Sequence, residues 1–144
     1  MLREKQIIGF RIFLVGLTLI TLTSCDPIHD AQIVNETEKE IILKVTFTEE
    51  ACPDGKRELV LKNFPGFEHI KPFELDTLTR TVSFKIGPFD QFPLHYEIAT
   101  DPEYSRFKQI LILTPDTLLL KGEKEIGEAF EQISERHWEL LIKN

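Results

Sequence analysis

The sequence predicts a mainly β fold: a small antiparallel β-sandwich or sheet with one C-terminal helix packed on it. Three observations predict it. Short runs between residues 31 and 120 alternate apolar and polar side chains, the period of a half-buried strand. Turn-forming stretches such as Pro53-Asp54-Gly55 and Asp101-Pro102-Glu103 separate these runs. From Glu123 the apolar period lengthens to that of a helix. About seven to nine short strands between turns fit a sandwich. An α+β sheet with one covering helix is the alternative.

The first strand is expected at Ala31-Gln32-Ile33-Val34, closed by the polar turn Asn35–Lys39. Residues Ile41–Thr48 alternate well, with Ile41, Leu43, Val45 and Phe47 on one face. A hairpin across the five-residue turn would pair these two runs. Cys52 falls in the following loop, where Pro53 fixes φ and Gly55 tolerates a positive one. Glu58–Lys62 is expected as a short edge strand, and Asn63–Phe67 as a second turn. Ile70–Leu75 contains Pro72, which restricts it to an edge.

Within Arg80–Ile86, the side chains of Val82, Phe84 and Ile86 share an inward face. Residues Gly87–Pro93 are expected as a rigid loop carrying Phe89 and Phe92. Leu94, Tyr96 and Ile98 then share a strand face opposite His95 and Glu97. Phe107–Leu113 is the most apolar strand, and Leu118–Leu120 pairs with it across Thr114–Thr117. Its two-sided hydrophobicity asks for a cover. The helix supplies one, with Ile126, Ala129, Phe130 and Ile133 on one face over about three turns. Glu123 and Glu125 suit its positive N-terminal end. Trp138, Leu140 and Ile142 alternate in a last strand.

The first 24 residues have a different character. A mildly basic start is followed by Ile12–Leu22, 11 residues without a charge. That length fits the apolar region of an export signal, whereas a spanning helix needs roughly 20 residues. The run ends in Leu22-Thr23-Ser24-Cys25. This resembles the lipobox of bacterial lipoproteins: an aliphatic residue, two small residues, then cysteine. The resemblance implies that the Cys25 thiol carries a diacylglyceryl group, that the signal is cut before it, and that the new amino group is acylated. Two or three acyl chains give stable anchoring where one is marginal. Asp26 follows, a residue that retains lipoproteins in the inner membrane of some enterobacteria-like systems. The chain resembles small lipoproteins whose lipobox leads directly into a β domain. The expected organisation is a signal peptide at 1–24, an anchor and short tether at 25–30, and one β-rich domain at 31–144.

The whole chain carries 17 Lys+Arg against 24 Asp+Glu. Taking away Arg3, Lys5, Arg11 and Glu4 leaves 14 against 23, a net −9 for the mature part. Such a charge argues against nucleic acid, because no basic cluster offsets it. Hydrophobic residues at 42%, with 11 Phe, argue against disorder.

Little in the sequence points to catalysis. His29, His69, His95 and His137 stand apart, with no HxH, HExxH or CxxC spacing, so no metal site and no cofactor is expected. His95 is expected to be exposed, and His137 to sit at a helix-to-strand junction. Cys52 reads as a small loop residue; a nucleophile or an intermolecular disulfide partner is the alternative. No GxSxG or SxxK motif is present. Acidic pairs such as Glu36/Glu38 and Asp101/Glu103 read as solvated turn residues. Asn35-Glu36-Thr37 matches the glycosylation sequon, which carries little weight in a bacterial protein.

The aromatics off the clean strands are more informative. Phe64, Phe67, Phe89 and Phe92 are candidates for a partner-binding surface, against the plainer reading that they plug the ends of the sandwich. The expected function is a lipid-anchored protein of the bacterial cell envelope. It is non-enzymatic, held to the membrane through its lipid, and binds a protein or glycan partner there. An immunity or inhibitor lipoprotein against a secreted toxin or hydrolase, and a small envelope hydrolase, are the alternatives.

Overall fold

The structure, a computed structural model, describes residues 27–53 and 74–143. The signal segment, Cys25, the expected Glu58–Lys62 strand, the Asn63–Phe67 turn and His69 lie outside the described residues.

Two sheets form the domain. One has the order β5-β1-β9-β8, and the other the order β3-β4-β2-β6-β7. The strands are β1 (Ile28–Asn35), β2 (Ile41–Phe47), β3 (Glu74–Asp76), β4 (Thr81–Ile86), β5 (Gln91–Ile98), β6 (Phe107–Leu113), β7 (Leu118–Lys121), β8 (Glu131–Ser134) and β9 (His137–Ile142). The one α-helix among the described residues is α1 (Gly122–Ala129). It joins β7, an edge of the second sheet, to β8, an edge of the first, and so closes that side of the sandwich.

The core is built by period two. Ala31 and Ile33 of β1, Leu94 of β5 and Leu140 of β9 come from the first sheet. Leu43 and Val45 of β2, Phe84 of β4, and Ile110 and Ile112 of β6 come from the second. The Phe84 and Phe92 rings meet at 4.5 Å and tie the layers together. Full burial of each such side chain contributes about 1.5–3 kcal/mol. Ile126 and Phe130 of the helix region enter the same core.

Several expectations change. β1 begins at Ile28, inside the stretch expected as a tether. β1 and β2 do not form a hairpin: β1 pairs with β5 and, in parallel, with β9, while β2 pairs with β4 and β6. The helix ends at Ala129 after eight residues, and Ile133 lies in β8, half exposed. β7, which pairs with β6 as expected, is an edge of its sheet. Phe92 belongs to β5 and not to a loop.

The largest change is in β5. Its pairing with β1 runs Gln32↔Pro93 and then Ala31↔His95, which leaves Leu94 as an extra residue. This bulge puts two neighbours, Leu94 and His95, inside together. It also reverses the alternation beyond them. Tyr96 and Ile98, expected in the core, turn outward, and His95, expected outside, is buried with its Nε2 3.1 Å from the Thr100 carbonyl.

The strand directions give the sandwich two distinct ends. The near end holds the start of β1, the end of β5 and the start of β9, where Ile28 pairs with Ile98 and Asp30 with His137. The far end holds Asn35, the 87–90 turn and Ile142. Seven steps along β1 separate Ile28 from Asn35, about 23 Å.

Candidate functional site

At the far end, Asn35 is fully buried. Its amide nitrogen donates to the carbonyls of Gly87 at 2.7 Å and Lys39 at 2.8 Å, with the Ile86 carbonyl at 3.3 Å. Its Oδ1 accepts from the Thr37 hydroxyl at 2.8 Å and the Thr37 N–H at 3.1 Å. One side chain thus ties the 36–40 turn to the 87–90 turn. The sequon residue is structural, and its amide is inaccessible in the folded domain.

Beside this knot lies a cleft of about 580 Å³. Ile41, Leu113, Leu118 and Leu141 form its walls, and charged residues such as Lys39 and Lys143 stand at its mouth. Its origin is topological. β8 has four residues and pairs only with His137–Glu139. Among the described residues, no strand pairs with the β8 side of Leu140–Ile142. The gap between that edge and the β6–β7 hairpin is the cleft. Lys143 is held loosely, 3.8 Å from Glu36, and Glu40 is paired with Lys85 at 3.0 Å.

Phe89 stands on the same end, 71% exposed at the tip of the 87–90 turn. Its φ is +56°. A bulky side chain in this left-handed region costs roughly 1–2 kcal/mol. Phe92, named with it as a candidate binding aromatic, is 2% exposed and packs against Phe84. Its place in the core is a correction: it offers no surface to a partner. Phe64 and Phe67 lie outside the described residues.

At the near end, on the outer face of the first sheet, four polar side chains from β1 and β9 meet. His137 Nδ1 is 2.8 Å from Asp30 Oδ2, and its Nε2 is 2.7 Å from Glu139 Oε1. Gln32 donates its amide to the same Asp30 oxygen at 2.6 Å. A neutral imidazole has one donor, so two carboxylate partners call for the charged ring. The Glu139 hydrogen bond foremost, and then the Asp30 bond and charge, hold the His137 pKa above its ordinary value against some desolvation. The ring lies between its carboxylates and does not converge with them on a point. Among the described residues, no group of His, Cys, Asp and Glu side chains is arranged to hold a metal ion.

No sequence motif announces this cluster. Its halves are 107 residues apart and meet only through the parallel β1–β9 pairing. His29 and His95, the other histidines among the described residues, are in structural settings. His29 stacks near Trp138 at 6.2 Å and bonds Asp101 at 2.9 Å. Cys52 is fully buried in the core, and its carbonyl accepts from Arg80 Nε at 3.1 Å. A thiol so placed cannot reach a second chain without unfolding around it.

The near end also has a tightly packed corner. The Tyr104 ring lies 5.1 Å from Phe130 and against Gly127, where an added Cβ would come within 3.2 Å of it. Burial pushes the Tyr104 hydroxyl well above its ordinary pKa. A glycine inside a helix costs about 1 kcal/mol relative to Ala, and at this position it lets Tyr104 pack on the helix.

The chain matches no protein-family profile, no curated protein and no solved structure.

Proposed function

We propose that this is a lipid-anchored protein of the bacterial cell envelope, tethered at its near end through Cys25 and binding a protein partner at its far end. One observation carries the reading. The lipobox-like Leu22-Thr23-Ser24-Cys25 stops three residues before β1, while the aliphatic cleft and exposed Phe89 sit at the opposite end of the domain. A domain anchored at Cys25 would carry these features away from the bilayer.

The chemistry of the far end favours protein over glycan. The cleft has aliphatic walls and a charged mouth, the layout of a small protein interface. It lies beside an edge of β9 that no strand among the described residues pairs, where an extended segment of a partner can add as a strand and place alternate side chains into the cleft. Phe89 is a ready aromatic anchor. The net −9 of the mature chain favours a basic partner through steering. A basic secreted toxin or hydrolase would make this the immunity or inhibitor form of the same role.

The test is crosslinking and co-purification of C-terminally tagged protein from the host envelope, with intact mass and membrane fractionation on the same samples. Wild type is expected in the membrane fraction with an acylated Cys25 and a stoichiometric partner. Cys25→Ala should lose the acyl mass and the membrane fraction. Leu141→Arg should keep both and lose the partner. An unmodified Cys25 with unchanged fractionation would remove the anchor. Partner capture unaffected by Leu141→Arg would move binding away from the cleft.

A further inference from the structure

The bulge in β5 turns Tyr96 and Ile98 outward, beside Ile28 of β1, on the outer surface of the near end. Ile28 is 44% exposed, Tyr96 49% and Ile98 63%. Ile28 and Ile98 are a cross-strand pair, and Tyr96 lies one position further in, opposite Asp30. Without the bulge, the alternation that begins with Phe92 and Leu94 would carry Tyr96 and Ile98 into the core. Bulges commonly re-aim side chains in this way.

The backbone beside the patch is held in place. Ala99, at φ +57°, donates its N–H to the Pro27 carbonyl at 2.8 Å. Pro27 is therefore fixed against the end of β5, and Cys25 is two residues away. Two residues of chain reach at most about 7 Å. Acyl chains on Cys25 would bring the patch to the bilayer surface, with no room for a folded protein between them. The neighbouring charges do not supply the attraction. Asp30 and Glu139 are engaged by His137, and Asp101 is acidic and exposed.

We propose that Ile28, Tyr96 and Ile98 form a membrane-seating patch that rests in the headgroup region and fixes the orientation of the anchored domain. The proposal rests on acylation of Cys25. Tyr96 suits the role, because an amphipathic ring settles where apolar and wet regions meet. The contact is apolar and needs no anionic lipid. Seating by this patch also points the far-end cleft away from the bilayer.

The test uses the full acylated protein, purified from membranes and reconstituted in phosphatidylcholine vesicles with brominated acyl chains. Trp138 is the single tryptophan, so it is replaced by Phe, and one reporter is added at a time: Ile98→Trp, Tyr96→Trp or Phe89→Trp. Intact mass reports the acyl group, and far-ultraviolet circular dichroism reports folding of each variant. The expected result is quenching at positions 98 and 96 severalfold stronger than at 89, unchanged by salt. Equal, weak quenching at all three positions on acylated, vesicle-bound protein overturns the seating patch and leaves the anchor intact. Absence of the acyl mass overturns the anchor and the patch together.

Discussion

The two ends of β1 solve different problems with the same strand. At the far end, Asn35 is buried, and both its amide nitrogen and its Oδ1 are bonded within the protein. At the near end, Asp30 is half-buried beside a histidine that titrates, and Ile28 faces outward. The far end is locked by one saturated side chain and carries its open cleft beside that lock. The near end is soft electrostatically and apolar at its surface. In the proposed arrangement, the cleft that binds a partner has a rigid frame, and the end that rests on the bilayer has a surface that tolerates a changing environment.

Breaking the lock should have the largest effect. Asn35→Ala removes the acceptor of the buried Thr37 N–H and the amide donations to the Gly87, Lys39 and Ile86 carbonyls, while the Thr37 hydroxyl and the Lys39 carbonyl keep each other and the Gly87 carbonyl keeps the Asp90 N–H. A buried orphan costs about 1–3 kcal/mol, so a loss of about 2 kcal/mol is expected in urea unfolding. A loss below about 1 kcal/mol would mean that the far end is not held by this residue.

Relief of the turn strain should act in the opposite direction. Phe89→Asn places a residue that tolerates positive φ at +56°, and should stabilise the domain by about 1 kcal/mol. The same variant should capture less partner. Gain of stability with loss of binding is the pattern of a strained residue kept for its surface.

The near end should respond to pH. The His137 pKa is raised in the folded state, so its contribution to stability is full below the unfolded value of about 6.5. It is lost as pH rises through the higher folded value. Thermal unfolding of the wild type should therefore weaken across this window, and His137→Gln should show a flatter profile there. A wild-type profile that rises through the same window would contradict the charged ring.

The smallest effect is expected at the patch. Ile98→Ser in the unanchored Cys25→Ala background should change stability by no more than about 0.5 kcal/mol, because the side chain is already mostly in water. A cost of several times that size would place Ile98 in the core and remove the reason for a seating patch.

Much of the fold was legible in the sequence, and the failures have physical causes. In β2, β4 and β9 the apolar positions alternate and show which of them face inward, although Thr46 and Ser83 are buried on the other face. β5 alternates as well, but one bulge at Leu94 reverses everything beyond it. Nothing local distinguishes Leu94-His95-Tyr96 from a regular strand. The helix was read too long because Ile133 keeps the helical spacing, although the chain has already turned into β8. The hairpin between β1 and β2 failed because adjacent strands can belong to different sheets. The candidate site was less legible. Phe89 was visible as an aromatic in a turn, but the cleft depends on the short reach of β8, and the His137 cluster depends on a parallel pairing across most of the chain.

The most direct test of the two-ended account is a photo-crosslinking amino acid placed at position 89 or position 98 of the full chain in living host cells. The account predicts a discrete protein adduct from position 89, lost in the Cys25→Ala background, and phospholipid adducts without that protein band from position 98. The same protein adduct from both positions, or phospholipid adducts from position 89 alone, would contradict it.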